Sequence, residues 1–164
     1  MTQRVKNHFK RTPEATRAMM ALEGSFKSSG LEPKLQDLVR MRAPQINGCA
    51  FCIGQHATDA LALDEDAMRL HLLDGWHESA LYSERERAAL AWTQALTRVS
   101  ETHAPDDVYT QVKAQFSDAG HRIPARCDCL RLIHSTNPLV SSSLEDPGGT
   151  ELHPRQAGRM HRLP

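Results

Sequence analysis

Two cysteines and a histidine, Cys49, Cys52 and His56, carry the clearest chemistry in the chain. They lie within the run Asn47-Gly48-Cys49-Ala50-Phe51-Cys52-Ile53-Gly54-Gln55-His56. On a helix, at ~100° per residue, the three fall within a ~60° arc, so two thiols and an imidazole share one face. Such a face is a small redox site. The Asn47-Gly48 pair suits a turn into a helix, with Asn47 as N-cap, which sets Cys49 beside free backbone N–H groups that favour a thiolate. His56, one turn past Cys52, is placed to exchange a proton with it.

A Cys-x-x-Cys pair has three readings: a redox dithiol, half of a zinc site, or two unrelated buried thiols. A structural zinc site needs four ligands, usually from two knuckles. The second knuckle here would be Cys127-x-Cys129, with His121 and His134 nearby, or scattered histidines, and the spacing is poor. The dithiol reading is therefore preferred, with no metal. In that chemistry one cysteine, as thiolate, attacks the terminal oxygen of a hydroperoxide and becomes a sulfenic acid. The other condenses with it to a disulfide that an outside reductant reopens. His56 is the candidate base, and a carboxylate behind it could hold or recharge the imidazole. Asp37, twelve residues before Cys49 on the preceding helix, is the first choice, and Glu32 the second. The blander reading of either acid is a solvated helix charge.

The elements that must position these groups read as helices. Thr12-Pro13-Glu14 supplies an N-cap, a first helical residue and a first-turn acid, and Ala15, Ala18, Met19, Leu22 and Phe26 recur at helical spacing behind it, predicting a core helix. Pro33 opens a second helix, with Leu35, Leu38, Val39 and Arg42 following and Pro44 interrupting the pattern. The cysteine helix comes next. Asp64-Glu65-Asp66 starts a short segment through Leu70 and Leu73. Ser83-x-x-Glu86 is a capping box for a helix carrying Ala88, Ala89, Trp92, Ala95, Leu96 and Val99. Pro105-Asp106-Asp107 opens a further helix with Val108, Val112 and Phe116 inward. No alternating strand with hairpin chemistry precedes residue 118, so the fold class is all-α. Trp76 and Trp92 read as core or interface aromatics, and His71 and His77 as exposed.

Composition narrows the partners. Lys plus Arg number 20 and Asp plus Glu number 20, and aromatics are 5% of the 164 residues, so neither a basic surface nor stacking platforms favour nucleic acid. No run approaches the ~18 apolar residues of a membrane span, and the polar start is unlike a signal peptide. A cytoplasmic protein is expected, where a Cys-x-x-Cys pair is catalytic or metal-binding before it is a staple. From Ala119 the pattern changes. Arg, Pro, His and Cys break any helical stripe, and the end is rich in Pro, Gly and Ser. The expected organisation is thus a helical domain over 1–118 and an atypical, largely disordered tail over 119–164.

The run Leu38-Val39-Arg40-Met41-Arg42-Ala43-Pro44-Gln45-Ile46-Asn47-Gly48-Cys49-Ala50-Phe51-Cys52, with His56, Asp59 and Ala60 beyond it, resembles the AhpD-like alkylhydroperoxidase branch of the carboxymuconolactone decarboxylase family. The stretch from Glu84 through Trp92 to Thr97 is similar to that family's next helix. The spacing acid, eleven residues, Cys-x-x-Cys, three residues, His is met by Asp37, Cys49, Cys52 and His56. The resemblance implies an all-helical fold, a homo-oligomer (trimer or hexamer), and hydroperoxide reduction driven by a lipoyl- or thioredoxin-type reductant, with no cofactor beyond a Cys49–Cys52 disulfide. It implies Cys52 as the residue passing through sulfenic acid, Cys49 as its resolving partner, and His56 with Asp37 as a proton relay. The alternatives are a carboxymuconolactone-type decarboxylase and a non-catalytic zinc- or redox-responsive module. Three departures stand out. Asp37 replaces the family's usual glutamate and is one methylene shorter. Phe51 stands where some members carry a second histidine. The tail after Asp118 replaces a long Ala/Ile-rich helix and reads as an out-of-frame translation of it. Translating the other two frames after codon 118 tests that reading: an amphipathic helix in neither frame rejects it.

Overall fold

A computed structural model describes residues 12–26 and 31–116. These form helices α1 (Pro13–Phe26), α2 (Pro33–Asn47), α3 (Ala50–Ala62) and α4 (Ala67–Leu72), a 3-10 turn at Leu73–Gly75, and helices α5 (Glu84–Thr97), α6 (Val99–Thr102) and α7 (Asp106–Gln115). There is no strand among the described residues, as the all-α reading expects. The expected tail, with Cys127 and Cys129, lies outside the described residues.

The core forms where α2 meets α3 on one side and α5 on the other, with α7 laid against α5. Leu35 and Val39 of α2 pack with Ala88, Ala89, Trp92 and Leu96 of α5 and with Val112 and Phe116. One residue further round α2, Leu38 and Met41 pack with Ala60 of α3, Trp76, Tyr82 and Leu90. Helix α2 therefore buries two adjacent stripes and is the central element, each large apolar side chain contributing about 1.5–3 kcal/mol. Trp76 and Trp92 are both buried, as the sequence suggests, and His71 and His77 are exposed.

The start signals act as read at two helices. The Ser83 hydroxyl accepts from the Glu86 backbone N–H at 3.3 Å while the Glu86 carboxylate accepts from the Ser83 N–H at 2.8 Å, closing the capping box. Asp66 caps α4 by accepting from the Met68 N–H at 2.9 Å. The loop between the 3-10 turn and α5 is tied down by Arg87, whose guanidinium donates to the carbonyls of Trp76 (3.2 Å), His77 (3.1 Å) and Tyr82 (3.1 Å).

Two expectations are corrected. Helix α1 is not a core helix: Ala15 and Ala18 are exposed, Met19 is half-buried, and Met20 and Leu22 are 51% and 38% exposed. Periodicity marks an apolar face but not what covers it, and the core between α2, α3, α5 and α7 is filled without α1. A Glu23–Arg40 ion pair links α1 to α2. Pro44, for its part, does not interrupt α2, which runs on to Asn47 with Pro44 buried inside it. Proline removes one i→i−4 hydrogen bond, and here the helix ends within one turn, so little ladder is lost beyond it.

Candidate active site

The site is built on the junction of α2 and α3. Gly48 ends α2 in the left-handed region at φ 68°, a conformation without steric cost for glycine. Its N–H donates to the Gln45 carbonyl at 3.3 Å, and the Cys49 N–H donates to the Pro44 carbonyl at 3.0 Å. The turn delivers Cys49, at φ −88° and ψ 93°, to the N-cap of α3. This corrects the assignment of Asn47 as that cap: Asn47 is the last residue of α2, and an Asn-Gly pair fits a helix end as well as a helix start.

Cys49 thus stands just outside the helix and Cys52 is its third residue. The Cys49 sulfur accepts from the Cys52 backbone N–H at 3.4 Å, taking the place of a hydroxyl or carboxylate cap. The two sulfurs are joined as a disulfide with Cα atoms 5.5 Å apart, inside the range such a bridge requires. Their environments differ. Cys52 is 6% exposed, whereas Cys49 is half-buried and follows the exposed residues Asn47 and Gly48.

His56 follows Cys52 by four residues on α3, one turn along the same face, and is half-buried. Its neighbours Ile53, Ala57 and Ala60 pack into the cluster that holds Leu38 and Met41 of α2, the helix that also carries Asp37. Asp37 is 5% exposed on α2 and forms an ion pair with Arg40 at 3.8 Å, one turn further on. Arg40 also meets Glu23. A buried carboxylate needs such a partner. Arg40 was not singled out from the sequence, although its spacing of three from Asp37 is a helical ion-pair signal.

Glu32, the second-choice acid, is engaged elsewhere. It precedes α2 at the N-cap and pairs with Arg85 at 3.1 Å. Burial acts to raise its pKa, but its backbone hydrogen bond and the Arg85 guanidinium outweigh that and leave it lowered. Phe51 is half-buried on α3 between the two cysteines. Among the described residues, no group of three or more His, Cys, Asp or Glu side chains is arranged to hold a metal ion.

An all-helical domain with a Cys-x-x-Cys disulfide capping one helix, and a histidine one turn on, defines a helical dithiol protein. The chain belongs to the carboxymuconolactone decarboxylase family, whose model matches residues 13–95. It is 34% identical over 118 residues to the uncharacterised protein YdfG of Bacillus subtilis strain 168, covering 72% of this chain and 80% of YdfG. It is 29% identical over 90 residues to the uncharacterised protein YnjA of Escherichia coli K12, covering 55% of this chain and 49% of YnjA. Among solved structures it is similar to ATU0492 of Agrobacterium tumefaciens, described as a protein of unknown function and a candidate antioxidant defence protein AhpD. That match has a TM-score of 0.77 and 38% identity, covering 82% of this chain and 92% of that one.

Proposed function

We propose that the protein is a thiol-dependent hydroperoxide reductase cycling between the Cys49/Cys52 dithiol and its disulfide. The observation that carries this is the disulfide itself, closed across the first turn of α3 between a buried and a more exposed sulfur. Similarity to ATU0492, with its AhpD description, supports the same class.

In the cycle, the Cys52 thiolate attacks the terminal oxygen of a hydroperoxide, the O–O bond breaks, and an alcohol leaves with a proton. Cys52 becomes a sulfenic acid. The Cys49 thiolate then attacks that sulfur and forms the disulfide, and the hydroxide expelled takes up the proton Cys49 gave up and leaves as water. Cys52 is assigned the first step because His56 follows it by one turn and can serve as its base, and Asp37 is assigned as the relay carboxylate on the family resemblance. Cys49 is assigned the second because its N-cap position favours a thiolate ready to close the bridge. Its exposure also suits the return: a lipoyl- or thioredoxin-type dithiol attacks the Cys49 sulfur and expels the Cys52 thiolate. The reductant's second thiol then frees Cys49 and leaves as a disulfide. Such a cycle suits a reducing compartment such as the cytoplasm. We further propose self-association, trimer or hexamer, with the uncovered apolar face of α1 as part of the contact.

The test is turnover: hydroperoxide consumption with dihydrolipoamide or reduced thioredoxin as the electron source, in wild type and in Cys52→Ser. Consumption lost in the variant supports the cycle. Decarboxylation of a lactone acid that persists in Cys52→Ser would replace it with the chemistry in the family's name, which does not call for a dithiol.

A further inference from the structure

We propose that Arg42 is a positioning residue for the dithiol: its guanidinium braces the turn that carries Cys49 and so sets how readily the disulfide closes. Arg42 lies on α2 and is 5% exposed, inside a helix end that could have been filled by an apolar residue. It donates to the side-chain oxygen of Gln45 at 3.2 Å, to that of Gln94 on α5 at 3.0 Å, and to the Asp74 carboxylate in the 3-10 turn. Three elements are thereby tied to one planar cation, a role the fork of arginine serves and a lysine does not.

Burying that charge is costly. Its carboxylate partner Asp74 is 81% exposed, so water screens much of the attraction, and the Arg42 Nε is buried without a hydrogen-bond partner among the described residues. Stability alone does not explain such an arrangement, since an apolar side chain of similar volume often serves as well. What the brace does accomplish is local. Gln45 is the residue whose carbonyl receives the Gly48 N–H at 3.3 Å, and the neighbouring Pro44 carbonyl receives the Cys49 N–H at 3.0 Å. Arg42, itself held to α5 and to the 3-10 turn, holds the Gln45 side chain and with it the path from α2 into Cys49, the residue at which α3 begins. The two thiols are held at bridging separation before the bond forms, which raises their effective concentration toward each other.

This inference rests on the pair being a reversible dithiol/disulfide couple and not on peroxide as its oxidant. The couple is read in glutathione buffers. Two thiols of the protein give two electrons and two protons to oxidised glutathione, which becomes two thiols as the Cys49–Cys52 bond forms. In the full chain, alkylation and mass analysis of the Cys49/Cys52 peptide give the closing constant for wild type, Arg42→Gln and Gln45→Ala. The closing constant is expected to fall at least five-fold in Arg42→Gln, about 20 mV for this two-electron couple, and at least three-fold in Gln45→Ala. A merely structural arginine lowers the urea midpoints of the oxidised and reduced forms alike and leaves the constant within two-fold of wild type, which overturns the proposal. If Arg42→Gln does not fold, Gln45→Ala decides, because that side chain is half-buried and bears the brace directly. A wild-type pair that never interconverts overturns both this inference and the dithiol reading.

Discussion

The backbone N–H of Cys52 points at the sulfur of Cys49, 3.4 Å away, so the thiol that caps helix α3 is also the partner with which Cys52 forms its bridge. Cys49 holds the N-cap of α3 with that N–H directed at it, and Cys52 lies buried one turn before His56. The two cysteines are thus unequal before any substrate arrives, one by helix-end electrostatics and the other by burial.

From this inequality comes a pair of mutant phenotypes. Cys52→Ser is expected to abolish peroxide consumption. Cys49→Ser is expected to stop after one turnover with a sulfenic acid on Cys52 that dimedone traps, as seen by mass analysis of the peptide. The reverse pattern exchanges the two roles.

Asp37 gives a graded result. Asp37→Asn removes the relay carboxylate and is expected to slow peroxide reduction on the order of 100-fold while leaving the dithiol intact, the size associated with one proton-transfer group. Asp37→Glu restores the family's longer acid and is expected to keep most of the rate. Equal rates in all three forms would remove Asp37 from the relay and leave it as the buried partner of Arg40.

The acid limb of stability follows from Glu86. Burial acts to raise its pKa, but hydrogen bonds from Arg69 and from the Ser83 backbone and hydroxyl outweigh that, holding it below its ordinary value of 4.5. A carboxyl lowered in the folded state adds stability above its unfolded pKa and loses it as the pH falls through the folded value. Glu86→Gln is therefore expected to cost about 1 kcal/mol at pH 7, from the lost charge toward Arg69 and the helix N-terminus, since glutamine still closes the capping box. The difference from wild type shrinks as the pH is lowered from about 5 toward 3. Urea midpoints across that range check it, and a gap that is constant with pH refutes the assignment.

Much of this architecture can be read from the residues because local chemistry fixes it. Ser83 and Glu86 satisfy each other's backbone donors within four residues, and the stripe from Ala88 to Leu96 needs only the helical period to be found. Spacing sets the cysteine pair and His56 along one helix, whereas the role of Asp37 is what the family resemblance implies. What escapes is decided at longer range. Asn47-Gly48 reads equally as a start or a stop, and only the left-handed Gly48 settles it as a stop. Arg42 looks like any helix cation until Gln94, fifty-two residues away, accepts from it. The stripe of α1 shows an apolar face, and nothing in its own residues says that no other described helix covers it.

That face gives the assembly prediction. Ala18→Lys with Leu22→Lys, both exposed and one turn apart on that face, is expected to shift the protein from an oligomer to a smaller species in light scattering, because like charges then meet at the contact. A wild type that is monomeric at the same concentration contradicts the proposed role of α1.

The dithiol peroxidase reading is tested most directly by counting the thiols of Cys49 and Cys52, by peptide mapping, before and after one equivalent of cumene hydroperoxide. The expected result is loss of both, with their peptides joined by a disulfide and one equivalent of cumyl alcohol formed. Thiols that remain free and alkylatable with the hydroperoxide unconsumed would contradict it.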